Sequence, residues 1–397
     1  MGGPGEATSA PLAGIVVADF SRVLAGPYAS MFLADLGATV IKIERPGTGD
    51  DTRAWGPPWT CVASSYFESV NRSKLSVTLD LADAQDRAVA RRMAERADVL
   101  VENFKTGTLD RYGLGYSALQ SVNPGLVYAS VTGFGSAGGA SLPGYDFLVQ
   151  AVGGLMSITG EPGGEPLKVG VALVDVLTGK DATIGILAAL RAREVTGRGR
   201  RIEVNLLSSL LGSLVNQASG TLATGQSPGR LGNRHPSITP YETLNCADAP
   251  LAIACGNDGQ FARLVATLGI PGLAADPRFL TNADRVAHRE ELVAALESAL
   301  ATDTAARWEA ALVSAGLAAG RVGTIAEAIE RARALGLDPT YEVGPGRPAQ
   351  VRHPILYSDH VPRRDLPPPT LGQHSDVIRQ RFGPEPLQTN ETPEAIP

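Results

Sequence analysis

The sequence predicts an α/β protein whose larger part is built on a parallel β-sheet. Short apolar runs that suit buried strands alternate along the chain with stretches in which apolar residues recur at helical spacing. Strands that alternate with helices are typical of parallel α/β sheets. The predicted strands cover residues 14–20, 39–44, 75–79, 99–102 and 126–132, with a further candidate at 201–204.

The first predicted strand is followed by a turn of small residues and then by a helix. Pro27 suits the first turn of this helix, because its fixed φ and missing N–H are tolerated there. Gly37 is a suitable C-terminal stop. A phosphate or an acyl group can approach backbone amides at such a turn, although residues 22–27 also suit a tight connection without a ligand. The pattern G-x-G-x-x-G is absent, so this is not a dinucleotide fingerprint.

The second half of the chain is predicted to contain helices, a linker and a smaller α+β region. Residues 174–222 are mostly helical in pattern, and the Gly-, Pro- and Arg-rich stretch 225–235 is the candidate linker. A strand at 251–254 and several helices follow. We therefore assign 12–224 to a large domain and 225–330 to a small one. The polar, Pro-bearing residues 385–397 are expected to be disordered.

Composition and charge argue against several classes of function. The formal net charge is -6, which disfavours binding to a nucleic-acid backbone. The three cysteines and five histidines are scattered, so neither a disulfide framework nor a metal site is predicted. The start of the chain lacks the pattern of a signal peptide, and no stretch approaches 18 uninterrupted apolar residues. We expect a cytoplasmic protein without a membrane segment.

Several basic residues of the first region are candidates for binding the phosphates of an anionic ligand. Arg and Lys recognise phosphate oxygens, and Arg does so with a rigid fork of donors. The alternative for each residue is an ordinary solvated surface charge. The candidates are Arg45, Arg53, Arg72, Lys74, Lys105 and Arg111.

One carboxylate stands alone in an apolar stretch. Asp175 interrupts residues 169–177, which are otherwise apolar apart from Gly170. A carboxylate that loses hydration has an altered pKa and nucleophilicity, which makes Asp175 a candidate nucleophile. The alternative is a helix N-cap, because Asp175 precedes a helical pattern. The tripeptide Gly144-Tyr145-Asp146 lies about thirty residues upstream.

A glycine-bearing loop follows the strand predicted at 251–254. Paired glycines can form a mobile loop that covers a site or offers amides to an oxyanion. The alternative is an ordinary turn from strand to helix, in which Asn and Asp supply the turn chemistry. The loop consists of Gly256, Asn257, Asp258, Gly259 and Gln260.

Taken together, these segments resemble the family III coenzyme A transferases. The matching runs follow the family's order and span residues 19–375. They are DFSRVLAGPYASMFLADLGATVIKIERPGTGDDTR, NRSKLSVTLDL, ADVLVENFKTGTLDRYGLGY, PGYDFLVQAVGGLMSITGEP, GNDGQF, DPRFLTNADRVAHREEL and PPPTLGQHS.

The resemblance implies a fold and a set of partners. A large CoA-binding domain has a Rossmann-like sheet, to which residues 331–384 return, and a smaller α+β domain is inserted through linkers. Two chains form an interlocked homodimer, with active sites near the dimer interface. Coenzyme A is then a substrate together with carboxylic acids, and no metal or redox cofactor is required.

The resemblance also implies roles for individual residues. Asp175 matches the catalytic aspartate, and Val23, Leu24 and Ala25 match the turn near the thioester. Positions that hold CoA in the family correspond to Arg45, Leu79, Asn103, Phe104 and Arg111. The loop from Gly256 to Gln260 matches one that folds over the acyl intermediates.

The implied chemistry is covalent catalysis by Asp175 through an aspartyl-acyl anhydride and an aspartyl-CoA thioester. Leu24 stands where the formyl-CoA and oxalate members carry Gln, and Asn257 and Asp258 interrupt an all-glycine loop. We therefore expect an acid that is larger or less polar than oxalate. The sequence names neither the donor nor the acceptor.

Two alternatives stay open, an α-methylacyl-CoA racemase of the same fold and a CoA-binding protein without catalysis. Racemase relatives carry Gly-His-Asp where this chain has Tyr145 in the middle position. Tyrosine, with an ordinary pKa near 10, is a poor acceptor of an α-proton at neutral pH.

Overall fold

The computed structural model describes residues 10–362 and 366–383. The segment predicted to be disordered, 385–397, lies outside these residues. The chain forms two compact units. The first takes in the residues up to Leu155, Lys168–Gln226 and the residues from Asp338 onward, and the second consists of Met156–Leu167 and Ser227–Leu337.

The first unit is built on a six-stranded parallel sheet, which confirms the predicted parallel α/β architecture. Its strands are β1 (Val16–Asp19), β2 (Thr39–Glu44), β3 (Lys74–Thr78), β4 (Val99–Glu102), β5 (Val127–Thr132) and β6 (Arg201–Asn205). They lie in the order β3-β2-β1-β4-β5-β6. In doubly wound sheets of this order, ligands bind beyond the carboxyl ends of the strands where the order reverses, which here is between β1 and β4.

The α-helices of both units are, in chain order, α1 (Ala25–Asp35), α2 (Ser65–Ser69), α3 (Ala84–Arg96), α4 (Tyr116–Gln120), α5 (Asp146–Val152), α6 (Leu155–Ile158), α7 (Leu173–Thr196), α8 (Leu206–Ser213), α9 (Val215–Thr224), α10 (Asp258–Thr267), α11 (Asn282–Ala287), α12 (Arg289–Leu300), α13 (Ala305–Ser314), α14 (Ile325–Ala334) and α15 (Ser375–Phe382). Short 3₁₀ turns cover Asp51–Ala54, Asp110–Tyr112 and Pro271–Ala275. Helix α1 begins at Ala25, two residues before the predicted start at Pro27.

Apolar side chains cover both faces of the six-stranded sheet, because successive residues of a strand point to opposite sides. Ile41 and Ile43 of β2 pack into a cluster that includes Met93 of α3 and Phe382 of α15. On the other face, the neighbouring Val40 packs in a cluster with residues of α1 and α7. The sheet is therefore the middle layer of three.

Two glycine contacts bring backbone segments of the first unit unusually close together. A Cβ atom on Gly179 of α7 would lie 2.7 Å from the carbonyl oxygen of Ala25, so only glycine lets α7 approach the start of α1 this closely. A Cβ atom on Gly133 would lie 2.5 Å from the Cα of Gly144. The chain from Gly133 to Gly144 therefore closes upon itself just after β5.

The C-terminal part of the described chain adds a helix to the sheet of the first unit. The Arg379 guanidinium of α15 donates to the carbonyl of Thr78 at 2.7 Å and also pairs with Asp86. Ahead of α15, the Nδ1 atom of His374 accepts a hydrogen bond from the N–H of Ser76 at 3.0 Å. A two-stranded ribbon, β10 (Thr340–Tyr341) with β11 (Gln350–Val351), also lies in this part of the chain.

The second unit contains a three-stranded antiparallel sheet of β7 (Tyr241–Asn245), β8 (Pro250–Ala254) and β9 (Ala318–Arg321). Apolar residues of α10, α12 and α13 pack with the sheet in one cluster. The sequence predicted β8 but not β7 or β9. Both are short, and β9 contains two alanines and a glycine, so neither carries a strong strand pattern.

Within the described ranges, no helix combines the length and the apolar character that a membrane crossing requires.

Candidate active site

The turn after β1 lies at the point where the strand order reverses, and side chains from neighbouring strands hold its backbone. The amide of Asn103, which follows β4, accepts from the N–H of Arg22 at 2.8 Å and donates to the carbonyl of Arg22 at 2.6 Å. Val23 has φ 70°, a left-handed conformation that is strained for a β-branched residue. The Val23 N–H donates to the two carboxylate oxygens of Asp50 at 3.2 and 3.3 Å.

Buried ion pairs lie beneath this turn. The Lys42 ammonium contacts Asp50 at 2.8 Å, and both side chains are 0% exposed. Burial alone would raise the pKa of Asp50, but the Lys42 charge prevails and lowers that pKa to about 2. The same ammonium donates to the carbonyl of Ser21 at 2.9 Å. A second buried lysine, Lys74, contacts Asp19 at 3.2 Å.

Asp175 lies in the first turn of α7, which begins at Leu173, so it is not the N-cap that we considered as an alternative. The cap is supplied from a distance by Asp146, the first residue of α5. Its Oδ1 accepts from the N–H groups of Val174 at 2.7 Å and Asp175 at 3.2 Å. Its other oxygen accepts from the side chain of Gln150 at 2.6 Å. Asp146 therefore fixes the helix turn that carries Asp175.

Within the described residues, the Asp175 carboxylate has no cation beside it. Among the residues that the structure describes, it forms no ion pair, and its oxygens accept no hydrogen bond. Burial raises the pKa of Asp175 to about 7, and the nearby Asp146 carboxylate adds to the shift. At neutral pH a substantial fraction of this carboxyl is ionised, weakly solvated and basic, which suits it for nucleophilic attack.

A cleft of about 500 Å³ connects Asp175 with the turn after β1. Such a volume lies in the range of small-molecule and cofactor sites. Tyr145, at 61% exposure, lines it. The predicted residues that line this cleft are Val23, Leu24, Ala25, Asn103, Phe104, Tyr145 and Asp175, together with the basic candidate Lys105.

A second hollow, of about 190 Å³, adjoins the cleft. Arg22 and Phe104 line both, and Arg45 and Leu79 line only the second. The structure thus brings most of the predicted CoA positions to one edge of the sheet. The Arg45 guanidinium is 54% exposed and contacts Asp51 at 2.6 Å.

Other predicted residues are not part of the lining of either hollow. Arg111 is exposed in the 3₁₀ turn Asp110–Tyr112 and lines neither of them. Gly256, Asn257, Asp258, Gly259 and Gln260 belong to the second unit and form the turn from β8 into α10. Asn257 caps α10 by accepting from the N–H of Gln260 at 2.9 Å, and the Gln260 side chain accepts from the N–H of Gly256 at 2.6 Å. These residues therefore have the hydrogen bonds of an ordinary strand-to-helix turn.

Three of the basic candidates are held by carboxylates inside the first unit. Arg53 pairs with Glu44 through two hydrogen bonds of 2.7 Å, and Arg72 pairs with Asp35 at 2.7 Å. Lys74 is fully buried beside Asp19. The prediction that these three residues bind a phosphate is wrong. Folding pairs each of them with a carboxylate from another part of the first unit.

Sequence reasoning missed three residues of the site. Lys42 and Asp50 hold the turn, and a charged residue in the middle of the apolar strand TVIKIE was the available signal. Tyr66 packs beside Leu24 and Val176, and its pKa is raised to about 12 by burial and by the charges of Asp175 and Asp146. No local pattern marked Tyr66, since its neighbours are distant in sequence.

Comparisons with known proteins agree with this geometry. The model of CoA-transferase family III matches residues 12–375. The chain is 42% identical over 399 residues to the succinate–glutarate CoA-transferase of Agrobacterium fabrum, covering 96% of this chain and 98% of that protein. It is 41% identical over 378 residues to the acetyl-CoA:oxalate CoA-transferase of Acetobacter aceti, covering 94% and 96%.

A solved structure supports the same relationship. The CaiB/BaiF family protein from Brucella suis matches with a TM-score of 0.85 and 43% identity, over 94% of this chain and 100% of that chain. The similarity covers nearly the whole chain in sequence and in structure, and it includes the cleft that contains Asp175. The chain therefore belongs to the family III CoA-transferases and is a CoA-transferase.

Proposed function

We propose that the protein transfers coenzyme A from an acyl-CoA to a short dicarboxylic acid, with Asp175 as the nucleophile. The observation that carries the proposal is the partly buried Asp175 carboxylate, which has no cation partner among the described residues and a pKa of about 7, at one end of a cleft of about 500 Å³. A carboxylate paired with a cation would be a weaker nucleophile, because the partner would stabilise its charge.

The proposed reaction uses four displacements at carbonyl carbons. The Asp175 carboxylate attacks the donor thioester, which gives an aspartyl-acyl anhydride and CoA thiolate. The thiolate attacks the aspartyl carbonyl, which forms an aspartyl-CoA thioester and releases the donor acid. The acceptor carboxylate attacks this thioester and expels the thiolate again. The thiolate then attacks the acceptor's acyl carbon, which yields the new acyl-CoA and restores Asp175.

The turn after β1 is proposed to face the thioester. The first N–H groups of a helix have no partner within it, and at the start of α1 they belong to Leu24 and Ala25, both of which line the cleft. Donors of this kind stabilise negative charge that develops on a carbonyl oxygen. The side chain of Leu24 adds an apolar surface beside them.

The nucleotide part of CoA is proposed to lie along the second hollow. Leu79 and Phe104 supply apolar surface there, and the exposed Arg45 guanidinium can reach a phosphate. Arg111, exposed in its 3₁₀ turn, remains a proposed phosphate contact on the strength of the resemblance alone. The role of Gly256 to Gln260 over the acyl group likewise stays a prediction.

The substrate class follows from the relatives rather than from Leu24. Their names include succinate, glutarate and oxalate, all of which are dicarboxylic acids. Leu24 supplies no hydrogen bond to a second carboxylate, which favours a longer acid such as succinate or glutarate over oxalate. A relative named for oxalate at 41% identity makes oxalate a necessary member of any substrate panel.

We further propose a Rossmann-like CoA domain, an interlocked homodimer and a cytoplasmic location. The strand order supports the first of these. Large apolar side chains on α7 to α9 are exposed in the single chain, among them Val195, Val215 and Leu222, and a second copy would cover such a surface. Light scattering should give the mass of two chains at all dilutions, and the mass of one chain would contradict the dimer.

A transfer assay tests the function directly. Succinyl-CoA, glutaryl-CoA and acetyl-CoA are each incubated with succinate, glutarate, oxalate or a monocarboxylic acid, and mass spectrometry follows the new acyl-CoA. Borohydride added after acyl-CoA should convert the Asp175 carboxyl to an alcohol, detected in the peptide that contains it. Failure of every pair, or reduction at another residue, would refute the proposal.

A control in deuterated water separates transferase from racemase. Tyr145 stands where a racemase needs a base, so a 2-methylacyl-CoA should show no deuterium at its α-carbon. Rapid α-exchange without transfer to an added acid would favour the racemase instead.

A further inference from the structure

The backbone of the turn after β1 is held in a conformation that its own sequence disfavours. Val23 has φ 70°, and a residue with a branched Cβ rarely adopts this region. The residue lines the cleft that contains Asp175. If Val23 relaxed to negative φ, the following N–H groups of Leu24 and Ala25 would point in other directions. The strain therefore persists only because neighbouring groups impose it.

Those neighbouring groups are a carboxylate and an ammonium that cannot move away. Asp50 accepts from Val23 through both oxygens and from the Thr52 N–H and hydroxyl at 3.0 and 2.8 Å. Lys42 contacts Asp50 at 2.8 Å and donates to the carbonyl of Ser21 at 2.9 Å. Both side chains are completely buried, so no solvent competes for these bonds.

We infer that Lys42 and Asp50 are positioning residues for acyl transfer, which hold Val23 in its left-handed conformation so that the start of α1 faces the reacting thioester. This inference rests on the proposed function of the turn. Neither side chain lines the large cleft, and although both border the second hollow their side chains are 0% exposed, so we expect them to act through the backbone rather than on the substrate. A purely structural role would affect folding and leave the rate of the folded enzyme unchanged.

Glycine offers a direct test, because it adopts positive φ about as readily as negative φ. Asp50→Asn keeps the shape of the side chain but removes the charge and one acceptor. A released residue with a Cβ would populate the left-handed region roughly 5- to 30-fold less than the right-handed one. We expect Asp50→Asn to lower kcat by about that factor, with the KM for acyl-CoA changed less than about threefold.

The rescue experiment places the same change in a Val23→Gly background. In that background Asp50→Asn should lower kcat by no more than about threefold. Glycine adopts the left-handed conformation readily and does not need Asp50 to hold it there. If Asp50→Asn alone does not fold, Thr52→Val, which removes one hydrogen bond to Asp50, replaces it with a smaller expected loss of about two- to fivefold. An equal loss of kcat in both backgrounds, or no loss, would overturn the inference.

Two controls separate this result from other failures. Asp35→Asn breaks the similarly buried pair with Arg72, away from the cleft, and should lower stability without changing kcat of the folded protein. Asp175→Asn tests the nucleophile itself. If that variant still transfers CoA, the proposed function fails. If Asp175→Asn is inactive but Asp50→Asn leaves kcat unchanged, only the positioning role is refuted.

Discussion

Two carboxylates of the first unit, Asp50 fully buried and Asp175 partly buried, show how environment divides one residue type into two uses. Asp50 lies beneath the turn after β1 with the Lys42 ammonium beside it, and its pKa is lowered to about 2. Asp175 lies across the cleft with no cation, and its pKa is raised to about 7 by burial and by Asp146. Both have lost water, so the difference comes from the partner. The paired carboxylate is a permanent anion that shapes the backbone, whereas the unpaired one is basic and available to react.

Asp146 is a third kind of carboxylate, which is held by hydrogen bonds rather than by a cation. Its oxygens accept hydrogen bonds from two N–H groups of α7 and from the side chain of Gln150. It therefore holds Asp175 in position by hydrogen bonds while its charge raises the pKa of Asp175. One side chain thus supplies both the geometry and the electrostatic effect.

The largest expected effect is the loss of transfer when Asp175 is replaced. Asp175→Asn keeps the size of the side chain but removes the nucleophile, and we expect kcat to fall at least about a thousandfold, or about 4 kcal/mol in barrier. CoA binding, measured by calorimetric titration, should change less than about threefold. A variant with more than a tenth of the wild-type rate would show that Asp175 is not the nucleophile.

The next largest effect comes from making Asp50 resemble Asp175. Lys42→Met leaves the Asp50 carboxylate buried without a cation, which should lower the free energy of unfolding by about 3–5 kcal/mol at pH 7. The unpaired carboxyl acquires a raised pKa, so the loss should shrink as the pH falls toward about 4 and Asp50 takes up a proton. Urea unfolding at several pH values measures this, and a loss that is independent of pH would contradict it.

A smaller effect of opposite sign is expected for the stability of Asp175→Asn. The folded protein binds a proton at Asp175 up to about pH 7, and the unfolded chain releases it near pH 4, so this group destabilises the fold increasingly between these values. Removing the carboxyl should therefore stabilise the protein by up to about 4 kcal/mol at pH 8 and by almost nothing at pH 4. Equal stabilities of wild type and variant at pH 8 would mean that Asp175 is better solvated than its surroundings indicate.

The smallest expected effect concerns the exposed pair of Arg45 and Asp51. Arg45→Ala should change the free energy of unfolding by less than about 0.5 kcal/mol, since exposed ion pairs contribute little. It should nevertheless weaken CoA binding about 10- to 150-fold, corresponding to about 1.5–3 kcal/mol for a charged hydrogen bond to phosphate. Calorimetry at low and high salt checks both the size and the ionic origin. A loss below twofold would make Arg45 an ordinary surface charge.

The sequence allowed the sheet to be predicted and made Asp175 a candidate nucleophile, for different reasons. The parallel strands follow from apolar runs, and such runs are local. Asp175 stood out because it interrupts an apolar stretch, and the alternative of an N-cap is excluded by its position as the third residue of α7. The real cap, Asp146, is supplied across the fold, and no local rule indicates a cap donated by another helix.

Charges were the least predictable feature of the candidate site. Arg53, Arg72 and Lys74 are residue types that bind phosphates, yet each forms an ion pair with a carboxylate from another element. Which basic residues stay free for a ligand depends on tertiary pairing, because the energetic cost of burying a charge selects the partner. Arg45 differs from them only in its exposure, which the sequence does not reveal.

The close contact of Gly133 with Gly144 has a practical consequence for engineering. Because the chain meets itself there, the ten residues between the two glycines leave and re-enter the fold at one point, and several of them form a wall of the cleft. Ser136 anchors the loop to Glu203 through its N–H and hydroxyl. Libraries that vary residues 137–143 while keeping both glycines and Ser136 would therefore change the shape of the cleft that contains Asp175, with β5 and α5 left in place.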